Sequence, residues 1–252
     1  MRIVIIGEDS RYTALAEQLQ HKGIATEQYM NWNTFCQSND ENNQVDLLFL
    51  AIGMVHDQTE LIIPSNVKEI WSGNKHSFVD FNSQNVTTYT ADEDWLWMNA
   101  DLTAESFLHW FYHHMPRRIS SYFWEIAGYG RVAKTLAVKL KALGGEVRIR
   151  TRSISQQAEA RQQGFQAVDL LTSLKLDCLC INTIPYQWLD SKTANNAHCV
   201  IDLASLPGGI QQPVDVLYYH LLALPGKVYP LDAANDFIQL FERKGIFTEY
   251  FS

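Results

Sequence analysis

Residues 123–133 read Phe-Trp-Glu-Ile-Ala-Gly-Tyr-Gly-Arg-Val-Ala, a short apolar run that enters G-x-G-x-x-A and continues into the amphipathic stretch Lys134 to Leu143. A strand that turns on glycine straight into a helix builds a dinucleotide site. Gly128 permits the tight turn, Gly130 has no side chain to hold a diphosphate away from the main chain, and Ala133 lets helix and strand pack closely. The free amides and dipole of the helix start then face the phosphates, which places Gly128, Tyr129, Gly130, Arg131 and Val132 at the cofactor. The same letters also describe a plain glycine turn, so the context matters. Glu146-Val-Arg-Ile-Arg150 reads as a second strand after Gly144-Gly145, completing the βαβ order that nucleotide binding requires.

The end of that second strand selects the cofactor. About 20 residues after the first glycine, an NAD-binding chain carries Asp or Glu for the ribose hydroxyls; this one carries Arg150-Thr-Arg-Ser153. Thr151, Arg152 and Ser153 suit a 2′-phosphate, so NADP(H) is expected over NAD(H). The plainer reading is a solvated strand end.

Two later strands finish in polar residues. Cys180-Ile-Asn-Thr-Ile-Pro185 and Val200-Ile-Asp-Leu-Ala-Ser-Leu-Pro-Gly-Gly209 each run from apolar residues into a turn, and in an open parallel sheet the carboxyl ends of strands line the ligand crevice. Asn182, Thr183, Ile184 and Pro185, then Leu203 and Ala204, are therefore expected at the cofactor, and Ser205 at the substrate. Further strands are expected at 146–150 and 221–224.

The N-terminal half repeats the α/β pattern: a strand at 2–6, a helix at 12–21 with Ser10 as its cap, strands at 25–29 and 45–52, a polar loop at 37–44, and shorter strands at 67–71, 77–81 and 86–89. Residues 95–115 place Leu108, Phe111 and Met115 on one helical face, and Pro116 ends that helix. The expected architecture is α/β with two domains: a smaller N-terminal α/β domain (1–94), a long linking helix (95–118), and a C-terminal Rossmann-type parallel sheet (119–252). The final helix, 232–244, either completes the second domain or returns to the first.

At 252 residues and 46% hydrophobic content the chain can bury substantial cores. A net charge of −8 argues against general affinity for nucleic acid or an anionic membrane. Four cysteines without a C-x-x-C pair, three of them in apolar runs, read as buried thiols in a reducing compartment. No window approaches a membrane span, and the first residues lack a signal-peptide pattern, so a cytoplasmic protein is expected.

Cys180-Ile-Asn-Thr-Ile-Pro185, Ile201-Asp-Leu-Ala-Ser-x-Pro-Gly-Gly209 and Leu224-Pro-Gly-Lys-Val-Tyr-Pro230, in this order after Gly-Tyr-Gly-Arg131, resemble the family of the dipicolinate synthase A subunit. This family makes pyridine-2,6-dicarboxylate in spore-forming bacteria. Gly7-Glu-Asp-Ser-Arg11 and Asn99…Thr103-Ala-Glu105 extend the resemblance faintly into the first half. It implies an NADP-dependent oxidoreductase acting on a dihydrodipicolinate-type dicarboxylate between the two domains, partnered by a flavoprotein B subunit. The chain departs from the pattern in its reduced first half, in Glu125 within the apolar strand, in Ala133, and in Leu231-Asp232 after Pro230.

A dicarboxylate needs fixed positive charge, and Arg supplies bidentate geometry. Arg11, at a strand-to-helix turn, is the substrate-binding candidate; a solvated arginine at a helix start looks the same. Ser205, Asn99 and Glu105 are candidates for hydrogen bonding or proton transfer. Glu105, His109 and His113 share a helical face at i, i+4, i+8, but no H-E-x-x-H motif supports a metal site, and none is expected. The alternative to an enzyme is a noncatalytic NADP(H)-binding subunit or sensor acting through a protein partner. Self-association is left open.

Overall fold

Every residue of Ile3-Val-Ile-Ile6 is buried, the signature of a strand covered on both faces of a parallel sheet. The computed structural model describes residues 1–52, 61–74, 78–79, 85–210 and 215–247. They form two compact units, Met1–Leu102 with Pro225–Ser252, and Thr103–Leu224.

The first unit contains β1 (Arg2–Ile6), α1 (Ser10–His21), β2 (Ala25–Tyr29), α2 (Trp32–Ser38), β3 (Val45–Leu50), β4 (Leu61–Ile62), β5 (Val67–Ser72), β6 (Phe78–Val79) and β7 (Val86–Thr88). Its main sheet is parallel with order β2-β1-β3-β5-β7, and β4 pairs with β6. Of the strand expected at 77–81, only Phe78–Val79 lies within the described residues. The partition falls inside α3 (Glu93–His114). Alternation sends Ile3, Ile5, Leu47 and Phe49 into one core and Val4, Ile6, Leu48 and Leu50 into the other.

The second unit contains β8 (Phe123–Ala127), α4 (Arg131–Ala142), β9 (Glu146–Arg150), α5 (Ile154–Gln162), β10 (Gln166–Val168), β11 (Cys178–Asn182), α6 (Ser191–Ala194), β12 (Ala197–Asp202) and β13 (Leu217–His220). Its sheet is parallel throughout, in the order β10-β9-β8-β11-β12-β13. This is the doubly wound arrangement, with its switch point between β8 and β11. α7 (Leu224–Val228) and α8 (Pro230–Arg243) follow.

Three expectations need correction. The strand expected at 221–224 lies four residues earlier, at Leu217–His220; the chain leaves the sheet there, and Ala223 takes φ 55°, which no strand residue adopts. The expected domain 119–252 loses its last segment, because the apolar face of α8 belongs to the first unit's core. Phe237 stacks on Trp95 at 5.2 Å and meets Phe49 edge-on at 5.1 Å. Phe241 meets Trp71 at 5.2 Å. The N-cap of α1 is also Asp9 rather than Ser10, its carboxylate accepting from the Arg11 amide at 3.0 Å.

The second unit is organised around a buried ion cluster. Glu125, at the middle of β8, lies opposite Arg148 of β9. Arg148 donates to both carboxylate oxygens, Arg150 Nη1 donates at 3.0 Å, and the Lys175 amide donates at 3.0 Å. Arg150 is fully buried and also donates to the Leu170 carbonyl at 3.0 Å. Three chain segments are thus held by one carboxylate. Glu125→Ala strands two guanidinium groups without their counter-charge, at a cost of about 3–5 kcal/mol. Urea unfolding measures this, and a loss below about 1 kcal/mol contradicts the assignment.

Asp92 performs a comparable task in the first unit. Its carboxylate accepts from the Trp95 amide and from Arg243, both at 3.0 Å, and pairs with Lys244 at 2.9 Å, joining the start of α3 to the end of α8. Burial alone raises this carboxyl, but these donors outweigh it and pull it down to about 2. Because the folded value is depressed, the stabilisation is complete above about pH 5 and is lost as pH falls toward 2. Asp92→Ala should cost about 1–2 kcal/mol at pH 7, with the gap to the wild type closing in unfolding measured at pH 2.

Candidate nucleotide-binding site

The turn after β8 is tied to both neighbouring strands. The Gly128 amide donates to the Arg150 carbonyl of β9 at 2.8 Å, and the Ala127 carbonyl accepts the amide and hydroxyl of Thr183, after β11, at 3.0 and 2.8 Å. Gly128 has φ 95°, and a Cβ there would collide with Thr183 Oγ1, so both conformation and space demand glycine. Gly130 differs. Its φ of −81° is ordinary, and a Cβ would meet nothing within 4 Å. Its missing side chain keeps a space open in front of α4, which begins with no side chain capping its first amides.

That space continues into a groove of about 440 Å³ lined by Gly128, Tyr129, Gly130, Thr151, Arg152, Ser153, Gln156, Leu170, Thr183 and Ile184. The uncapped amides at one end and the absence of any carboxylate among the groove-lining residues fit a dinucleotide phosphate.

The three residues after β9 have distinct tasks. Thr151 donates to Gln156 Oε1 at 2.6 Å, and Ser153 caps α5 by accepting from the Gln156 amide at 3.3 Å. Arg152 is exposed and makes no hydrogen bond or ion pair to any described residue; its guanidinium stands 5.7 Å from the ring centre of Tyr186. Arg150 points the opposite way, into the Glu125 cluster, and does not reach the groove. Gln156 and Leu170 were not foreseen in the sequence. Ser153-x-x-Gln156 has capping-box spacing and could have disclosed the first; Leu170 is placed only by tertiary structure.

Asn182 is corrected from cofactor ligand to framework. It is 1% exposed, and its amide donates to Asp202 Oδ1 and the Ile184 carbonyl, both at 2.9 Å, while accepting from Trp188 at 2.9 Å and the Ile184 amide at 3.1 Å. Asp202 is equally occupied, accepting from the amides of Ala204 at 3.0 Å and Gly209 at 2.6 Å and from the Tyr218 hydroxyl at 3.1 Å. Burial and the Asp202 charge hold that phenol in its neutral form. This pair shapes the ends of β11 and β12 without presenting a free group. Leu203 is half-buried, Ala204 buried, and Pro185 and Ser205 exposed in the turns beyond those strands. Arg131 and Val132 form the first turn of α4.

Arg11 is buried in the first unit, paired through Nε and Nη2 with Asp9 at 2.9 and 3.1 Å; it is not the solvated arginine of the plainer reading. Asn99 lies on the first unit's part of α3. Glu105, on the second unit's part, pairs with Lys139 of α4 at 2.9 Å and does not line the groove. His113 Nδ1 bonds the His109 carbonyl at 2.8 Å. Among the described residues, no three His, Cys, Asp or Glu side chains converge as metal ligands. Burial, reinforced for Cys178 by Glu125, pushes the thiols of Cys178 and Cys199 up to about 12, so neither is a nucleophile at neutral pH. No helix among the described residues is long and apolar enough to cross a membrane.

No protein-family model matches the chain. A 90-residue alignment at 33% identity relates it to the A subunit of dipicolinate synthase from Bacillus subtilis (strain 168), covering 33% of this chain and 30% of that one. The structure of the dipicolinate synthase A subunit from Bacillus halodurans superposes with a TM-score of 0.73 at 19% identity, covering 96% of this chain and 97% of the other. A D-isomer specific 2-hydroxyacid dehydrogenase from Lactobacillus delbrueckii ssp. bulgaricus, in its NAD-complexed form, gives 0.53 at 10% identity over 100% and 99%. In fold over nearly its whole length, and in sequence over a third of it, the chain is similar to the A subunit of dipicolinate synthase.

Proposed function

We propose that the chain is an NADP(H)-dependent oxidoreductase like the dipicolinate synthase A subunit, exchanging hydride with a dihydrodipicolinate-like cyclic dicarboxylate. The observation that carries this reading is the groove itself: a bare glycine turn, an uncapped helix start, and an unpaired arginine where an NAD-selective site would place an acid.

When bound, the nicotinamide supplies or accepts the hydride. The chain's part is orientation. The first amides of α4 take the diphosphate, Gly130 leaves room for it, and the Arg152 guanidinium takes the 2′-phosphate as a charge-assisted pair. Ser205 stands exposed in the turn after β12, where the nicotinamide half of a dinucleotide runs in doubly wound folds, and offers the substrate a hydroxyl. Arg11 is assigned to a substrate carboxylate, because pairing with Asp9 fixes the guanidinium through Nε and Nη2 and leaves Nη1 unbonded among the described residues. Glu105, held by Lys139, is not retained as a proton carrier. The resemblance extends the proposal to a flavoprotein partner.

Titration of the purified protein with NADPH and NADH tests the cofactor assignment. Arg152→Ala should weaken NADPH about 10- to 100-fold, the worth of one hydrogen bond to a charged group, while NADH, which lacks the 2′-phosphate, loses clearly less, at most about tenfold. Equal losses contradict the 2′-phosphate assignment. Tight NADPH binding without turnover of dihydrodipicolinate favours the noncatalytic alternative.

A further inference from the structure

Tyr186 is a large aromatic side chain that stands mostly in solvent. It is 57% exposed, and its hydroxyl has no hydrogen bond to any described residue. It follows β11, whereas Arg152 follows β9, and β8 lies between those two strands. Their side chains therefore meet across the carboxyl end of β8, over the glycine turn. The Arg152 guanidinium lies 5.7 Å from the Tyr186 ring centre. The floor below is built by residues of both walls, Thr151 on one side and Thr183 and Ile184 on the other.

A flat cationic group thus stands over a flat aromatic one at the rim of a groove suited to a nucleotide. A purine stacked between them needs about 3.5 Å on each side, so the jaws must part by only an ångström or two. Exposed side chains change rotamer within nanoseconds, and neither side chain has a hydrogen bond or ion pair to a described residue that would hold it closed. The diphosphate position at Gly128–Gly130 and the ribose-selecting position at the end of β9 fix which half of the dinucleotide comes here: the adenosine half.

We propose that Tyr186 and Arg152 form a clasp that takes the adenine ring between phenol and guanidinium, making Tyr186 a determinant of nucleotide affinity outside the glycine fingerprint. The proposal rests on the nucleotide-binding reading above, and it adds a ligand contact that is blind to the 2′-phosphate. Stacking recognises the purine, which NADPH, NADH and ADP-ribose share.

The test is calorimetric titration of the full chain and its Tyr186→Ala and Tyr186→Phe variants with NADPH, NADH and ADP-ribose. Tyr186→Ala should weaken all three by a similar factor of about ten, and Tyr186→Phe, which keeps the ring, should stay within about twofold of the wild type. Because Tyr186 is exposed, the melting temperature of both variants serves as a folding control and should not move. Unchanged affinities in Tyr186→Ala overturn the clasp. A loss confined to NADPH also overturns it, since Tyr186 would then only steer Arg152 toward the 2′-phosphate. A wild-type protein that binds none of the three ligands defeats the nucleotide reading itself, a result distinct from either.

Discussion

The second unit depends on a carboxylate buried among apolar strands. Placing Glu125 in a sheet centre would cost several kcal/mol if it stood alone. Here four donors satisfy it, from two arginines and one main-chain amide. Because those donors come from β9 and from the segment approaching β11, the cluster fixes how these pieces meet β8. Arg150 then reaches on to the Leu170 carbonyl, so the residue forming one groove wall is held by the same charge pair. One carboxylate against two guanidiniums leaves one positive charge in excess beneath a groove suited to phosphates, and a buried charge is screened little by salt.

Above that base, the two glycines of the fingerprint work by different physics. At Gly128 the main chain turns through a left-handed conformation against Thr183, and any side chain is excluded by both strain and collision. At Gly130 nothing excludes a side chain, and its absence serves only the space outside. Under the proposed function, stability and ligand binding are therefore separable within three residues. The same separation appears at the end of β9, where Arg150 turns inward to hold the sheet and Arg152, two positions on and beyond the strand, remains available to a ligand.

Much of this was legible in the sequence because local rules dominate it. The βαβ order, the turn on Gly128, and the strands at 2–6 and 146–150 follow from an apolar run in the first and apolar-polar alternation in the second, each bounded by glycine. Glu125 was visible as an interruption, but its reason lies in Arg148, which strand register places opposite it, and in Arg150, which lies opposite Ala127 and reaches the carboxylate through its guanidinium. Asn182 reads as a ligand because Asn at a strand end usually faces a crevice; the indole of Trp188 and the carboxylate of Asp202 consume its amide instead. Leu221-Leu-Ala-Leu224 mimics a strand by apolarity alone, while the real strand, Leu217-Tyr-Tyr-His220, looks less apolar because it lies half-exposed at the sheet edge. The return of α8 to the first unit depends on which aromatic core receives Phe237 and Phe241, a long-range choice that no local pattern encodes.

The claim on which the functional account stands is that the empty space before α4 receives a diphosphate. Gly130→Asp measures it directly. At this cap position an aspartate suits the helix start and should leave the melting temperature unchanged or slightly raised. Facing a diphosphate at about 4 Å, it introduces a repulsion of about 4 kcal/mol, so NADPH affinity should fall about a hundredfold or more. A variant that folds as predicted yet binds NADPH as tightly as the wild type would show that the nucleotide, if bound at all, lies elsewhere.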